Sequence, residues 1–437
     1  MPFDVDDLYA LGVGIPSLAF RSKPLMSSIL ALAAVCKSHD LLGEPHPDKK
    51  EILDLLILAD RHHRTALVQI QLDLPNPCQY DYVLANATVM VLYASASHCV
   101  RIRLAETQTK DEPLPRELVS TQSQWISLIR AAHLAFVGLL NDRSEHHEIA
   151  QENINIPSPS TLPPSNEQSV CLKEVISPEN GPTERTKELF FPIVAASSGS
   201  ALNVLRAKAQ TIWKAEGHSS SWTKFVDPKN VPHLRDSSSA NLHACLSSLD
   251  ILGDIITEGL SATPPAPSSA SYSNHIHAEP DSPSLGRLST VSDWLRSYVA
   301  RVTSATTAPR PLRRVIMAFL NRVPAEYLNI VQTTLESIDM PIGTGQGDAW
   351  ESSGVEFSNL STVHKLAIDI FAHWLVLVML LDGVWWIGGI GAWELRRVVS
   401  FVRAEDWHDS SSYSEEYWWP ESMNNIGREL RESIKVD

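Results

Sequence analysis

Residues Ile370 to Trp393 read IFAHWLVLVMLLDGVWWIGGIGAW. This is the most apolar segment of an acidic chain, and it holds four of the twelve tryptophans. Its chemistry points to a membrane or to a deep core. A spanning helix needs roughly 20 consecutive apolar residues. Asp382 interrupts this one, and Gly383, Gly388, Gly389 and Gly391 crowd its second half. An Asp at a membrane helix centre costs about 2.5–3.5 kcal/mol. The uninterrupted run, Trp374 to Leu381, is followed directly by Asp-Gly, which ends helices. A buried helix that stops at Gly383 and then turns explains the pattern without that penalty. The alternative is a membrane-associated helical protein anchored by residues 370–393. No other long apolar run is expected.

The chain has 437 residues, 43% of them hydrophobic, and a mean hydropathy of -0.09. That length allows one large or two ordinary domains. The formal charge is -15, from 36 basic and 51 acidic side chains. Such a balance repels phosphate and makes a poor stand-alone nucleic-acid binder. The opening MPFDVDDLYALG is acidic where a secretory signal would be basic. The five cysteines, Cys36, Cys78, Cys99, Cys171 and Cys245, are scattered and form no C-x-x-C pair. Neither a disulfide framework nor a zinc site is indicated.

Apolar spacing is helical almost throughout. Leu25, Ile29, Leu32 and Cys36 make one stripe. Ile52, Leu55, Leu56, Ala59, His63, Ala66, Leu67 and Ile70 make a second. Leu84, Ala87, Val91 and Ala94 make a third. Trp125, Leu128, Ile129, Ala132, Phe136 and Leu139 make a fourth. Each follows the i, i+3, i+4, i+7 rule. Pro75 and Pro77 separate the second stripe from the third. Further helices are expected over residues 202–215, 241–260, 288–302, 311–320, 325–338, 361–381, 392–402 and 421–434. No sustained period-two run occurs. The expectation is an all-α bundle or array of about ten to thirteen helices.

Two Ser/Pro-rich stretches, 141–184 and 261–286, are expected to be disordered inserts, because their sparse apolar residues cannot offset the entropy of ordering. The domain reading is then a helical N-terminal half over 1–140, an insert over 141–184, a helical segment over 185–260, an insert over 261–286, and a tryptophan-rich C-terminal part over 287–437. The inserts would loop out of one compact body.

Catalytic signatures are sparse. Gly343, Gly345 and Gly347 give a G-x-G-x-G string without the strand-turn-helix setting of a nucleotide site. The HHE at His146 to Glu148 lacks a second His four residues on. No G-x-S-x-G elbow occurs. An enzyme is therefore not expected. His63 on its apolar stripe is a core histidine or a ligand contact, and His373 beside Trp374 poses the same choice. The acidic, aromatic stretch EDWHDSSSYSEEY from Glu405 is either an activation segment or a connecting loop before Trp418, Trp419 and Pro420. Arg313-Arg314 and Arg396-Arg397 read as solvated helix faces.

The strings HWLVLVMLLDGVWWIGGIGAWEL (373–395) and WWPESMNNIGREL (418–430) resemble the C-terminal end of the regulatory region of fungal zinc-cluster transcription factors. IPSLAFRSKPLMSSILALAAVCKSHD from Ile15, DRHHRTALVQIQLDL from Asp60, DYVLANATVMVLYASA from Asp81 and QWISLIRAAHLAFVGLL from Gln124 are similar to successive helices of that region. The resemblance implies an all-helical, nuclear, non-enzymatic regulator. Its partners would be other transcription regulators or a small effector, with a homodimer also open. Its context would be metabolic, and secondary metabolism fits. The family's cofactor is zinc, held by a six-cysteine cluster that five scattered cysteines cannot supply. DNA contact is then expected only indirectly or through a missing N-terminal module. A lost upstream exon, a truncated relative and a competing dominant-negative form are the three readings of that departure. No membrane partner is expected. The signature residues are His373, Trp374, Asp382, Trp385, Trp386, Trp393, Glu394, Trp418 and Trp419. The tryptophans among them either line an effector pocket or pack a core.

Overall fold

The computed structural model describes residues 9–73, 80–106, 124–141, 181–216, 237–260, 286–302, 311–338, 360–404 and 418–432. Among them are thirteen α-helices and no strand. The chain is all-α, as its periodicity requires. The inserts, the Pro75–Pro77 connection, the HHE at 146–148, the glycine string at 343–347 and the acidic stretch from Glu405 fall outside the described residues, apart from the inserts' edges.

The helices group into two compact units, each built from separated stretches of chain. The first takes residues 1–93, 130–180 and 269–308. The second takes 94–129, 181–268 and 309–437. The sequence division at residues 140, 184, 260 and 286 follows composition. The compact units divide instead inside two helices, because these are long enough to supply one end to each.

In the first unit, α1 (Ile15–Ala19) leads into α2 (Lys23–Leu42), and α3 (Lys49–Asp73) follows. The N-terminal part of α4 (Tyr80–Glu106), the C-terminal part of α5 (Gln124–Asn141) and α8 (Asp293–Val302) complete it. Ser22 caps α2, its hydroxyl accepting from the Leu25 N–H at 3.4 Å, and Pro24 sits in the first turn, where its missing N–H matters least. Helices α2 and α3 pack as a hairpin. The face that α2 buries is Leu25, Ser28, Ala31, Val35 and Ser38. The expected stripe of Ile29, Leu32 and Cys36 lies on its half-buried flank. Small residues took the contact because they let two long helices approach closely. On α3 the expected face holds, with Ile52, Leu56, Ala59, His63 and Ala66 buried. A core of Ile15, Leu25, Leu84, Phe136, Leu295 and Tyr298 joins the unit. Asp81 fixes the start of α8, accepting from the Ser292 N–H at 3.0 Å and from its hydroxyl at 2.6 Å.

The second unit holds the rest of α4 and α5, then α6 (Phe191–Ala215), α7 (Ser237–Leu260), α9 (Leu312–Arg322), α10 (Ala325–Ile338), α11 (Thr362–Met379), α12 (Ile390–Ala404) and α13 (Trp419–Glu432). Helix α11 is its axis. It packs against α6, α7, α9, α10, α12 and α13. Every residue from Leu366 to Leu381 is buried. A helix that is apolar all round belongs inside. It ends at Met379, slightly before the expected Gly383. The N–H groups of Leu380 and Leu381 bond three residues back, which tightens the chain out of the α-helix.

The expectation of a single long apolar run is corrected by three further helices. Lys23–Leu42, Tyr80–Glu106, Thr186–Ala215 and Thr362–Met379 are all long and apolar enough to cross a membrane, by length and composition. The most apolar windows of Tyr80–Glu106 and Thr362–Met379 are 83% buried within the protein.

Candidate functional site

The second unit buries two acidic side chains, one just before the first signature string and one within it. The first is Asp369. It interrupts the apolar run four residues before His373, and it is 5% exposed. Its Oδ2 accepts from the Lys208 ammonium of α6 at 2.5 Å. Its Oδ1 accepts from the indole N–H of Trp418 at 2.8 Å. The His373 Nδ1 lies 3.3 Å from Oδ1 and 2.8 Å from the Asp369 carbonyl oxygen. Both neighbours are acceptors, so this nitrogen carries the proton and donates. Burial alone would push the Asp369 carboxyl up. The Lys208 charge and the hydrogen bonds from His373 and Lys208 outweigh it and hold the group well below the usual carboxylate range.

A cleft of about 320 Å³ opens over this carboxylate. Helix α11 lines it with Thr362, Lys365 and Asp369, one face at helical spacing. Helix α6 contributes Lys208, Thr211 and Ile212. Val402 of α12 and Trp418 at the entry to α13 close it. Trp419 stacks on the His373 ring at 5.2 Å, and its indole N–H donates to the Ser197 hydroxyl at 2.8 Å. Two adjacent tryptophans thus tie the last helix to α11 and α6.

The second buried acidic side chain is Glu394. Its Oε1 lies 2.8 Å from His98 Nε2, with both side chains under 5% exposed, and Arg397 stands 3.5 Å from its other oxygen. The His98 ring stacks on Trp125 at 5.9 Å, and Trp125 stacks on Trp374 at 6.2 Å. Trp374 is fully buried and donates its indole N–H to the Ile316 carbonyl at 2.9 Å, with Phe319 stacked at 5.4 Å.

The remaining signature residues do structural work elsewhere. Asp382 is exposed and caps the segment that opens α6. It accepts from the Thr183 N–H and hydroxyl, each at 2.8 Å, and from the Thr186 hydroxyl at 2.7 Å. Trp385 is half-buried, and its carbonyl accepts from the Cys99 thiol at 3.0 Å. Trp386 is buried beneath the Arg313 guanidinium, 5.3 Å from its ring. Trp393 is half-buried, with Arg396 at 5.9 Å. Among the nine signature residues, Trp418 alone lines the cleft. The Arg pairs are not simply solvated: Arg396 also lies 3.5 Å from Glu106. Gly391 lets α12 cross the end of α11, since a Cβ there would sit 2.6 Å from the Met379 backbone nitrogen.

His63 is 3% exposed and stacks on Tyr93 at 4.4 Å, a packed core position. No group of three or more His, Cys, Asp or Glu side chains able to hold a metal occurs among the described residues. Cys36, Cys99 and Cys245 stand on α2, α4 and α7, so they do not fit a six-cysteine cluster. Sequence reading missed Asp369, Lys208, Lys365 and His98. The signal for Asp369 was present: one carboxylate inside an apolar run, four residues before a histidine. Its partners were not legible, because Lys208 lies 161 residues away.

No family model, no curated protein and no solved structure matches the chain.

Proposed function

We propose that this chain is the helical regulatory region of a transcription regulator, similar to that of the fungal zinc-cluster factors. In this reading it acts in the nucleus without enzymatic chemistry. It works through other regulators or a small effector and serves a metabolic gene set, for which secondary metabolism fits, in concert with a separate DNA-reading module. One observation supports the reading most. The two strings that carry the resemblance, 373–395 and 418–430, are packed into one module, with Trp418 on Asp369 and Trp419 on His373. The Asp369 cleft sits at that junction, and in this reading it would take the effector.

A tethering assay tests this. The chain fused to a heterologous DNA-binding domain should raise or lower a reporter several-fold against the domain alone. A nuclear, intact fusion that leaves the reporter unchanged would sink the reading. The membrane alternative is supported by four sufficiently apolar helices. Carbonate-resistant pelleting would favour it, and release into the soluble fraction would exclude it.

A further inference from the structure

We infer that the Asp369 cleft binds a compact neutral molecule, a flat apolar body that carries one carbonyl oxygen. Calling that ligand the effector rests on the regulatory reading above; the binding site itself does not.

Charge disfavours ions of either sign. The Lys208 ammonium and the Asp369 carboxylate balance each other at 2.5 Å. Lys365 has a partner of its own. A cation would need an acceptor, and Asp369 is engaged on both oxygens: Lys208 holds one, and Trp418 and His373 hold the other. An anion on Lys208 would lie close to the Asp369 carboxylate, which already takes up that charge. Either ion would shed its hydration with no unbalanced charge to replace it. A neutral oxygen asks less. The Lys208 ammonium has three N–H donors and gives one to Asp369. Its side chain is 45% exposed, so it keeps donors within reach of a ligand that enters from solvent. The Thr211 hydroxyl already donates to the Ala207 carbonyl at 3.0 Å, which leaves Lys208 as the donor that α6 offers the cleft.

Shape selects the body. Ile212, Val402 and the Trp418 ring supply apolar wall, and a volume near 320 Å³ admits a body of one or two fused rings. Trp418 donates to Asp369 at 2.8 Å, so its position is set before a ligand arrives. It directly precedes α13, so a bound molecule touches the docking point of the last helix.

The probe is 2-acetylnaphthalene, titrated calorimetrically into the full chain beside two charged counterparts, 2-naphthoate and 2-naphthylmethylammonium. The expected result is saturable one-site binding of the ketone below about 1 mM, with both ions weaker by about tenfold. Ile212→Trp fills the cleft from α6 and should weaken the ketone by a similar factor. Thr362→Trp fills it from an exposed position on α11, so a folding defect in the first variant leaves the test standing. Equal or tighter binding of either ion by the wild-type chain would overturn the proposal. So would a folded variant that binds the ketone like wild type, or no ketone binding at about 1 mM. The two readings fail separately: reporter regulation without ketone binding removes the site, and ketone binding with a silent tethered reporter removes the regulatory role.

Discussion

The second unit contains two contacts to buried carboxyl groups that look alike on paper and differ in one respect. His98–Glu394 is closed on both sides, with 4% and 2% of the side chains exposed. Lys208–Asp369 is closed on one side only, at 45% and 6%. The first sits behind a wall of stacked aromatics, Trp125 and Trp374. The second opens to a cleft. A sealed pair can only hold its surroundings, and breaking it leaves a buried polar group without that partner. A half-open pair keeps donors available for something else. The contrast teaches that the aromatic wall and the cleft, not the partner's exposure, separate the two sites, since Glu394 also faces the partly exposed Arg397.

Breaking the wall should have the largest effect. Trp374→Ala removes a fully buried indole and should destabilise the second unit by about 3–5 kcal/mol. Urea denaturation checks it, and a loss below 1 kcal/mol would mean the wall does not seal the pair. Glu394→Ala tests the sealed pair itself. It strands the buried His98 ring and should cost about 3 kcal/mol.

Asp369→Asn tests the half-open pair, with an expected loss of about 1–3 kcal/mol at pH 7. The folded Asp369 carboxyl titrates below its unfolded value of about 3.9, so its stabilisation is fully present above that pH. It is lost as pH falls through the lower folded value. Wild type should therefore lose its advantage over Asp369→Asn only below about pH 4. An advantage that already fades at pH 6 would point to another group. Trp418→Phe keeps the ring and removes one hydrogen bond, for about 1 kcal/mol, read by the same denaturation.

The smallest effect is chemical. Burial pushes the Cys245 thiol up to about 12. Burial also raises Cys99, whose S–H donates to the Trp385 carbonyl. Iodoacetamide at pH 8 should leave both unmodified in the native chain and label them in urea, as peptide mass mapping would show. Native labelling of Cys99 would mean the wall near His98 opens.

Periodicity was enough for the helices. Ala325–Ile338 has the bounds its spacing predicts, and the stripe of α3 is the face it buries. The stripe of α2 lies one position from the expected one, because large apolar residues carry the period while Ser28, Ala31 and Ser38 are the residues buried. The tryptophan string was legible as a core, in which Trp374 is fully buried and Trp386 lies under an arginine at 8% exposure. The cleft was not legible. Its lining comes from four helices, and apolar counting treats Asp369 as an interruption instead of an anchor.

The central claim is that the last helix is latched to the Asp369 cleft. Hydrogen exchange on wild type and Asp369→Asn tests it most directly. The variant should lose protection in Trp419–Glu432, while Leu84–Leu104 exchanges as before. Unchanged protection in Trp419–Glu432, or an equal loss along the whole chain, would contradict it.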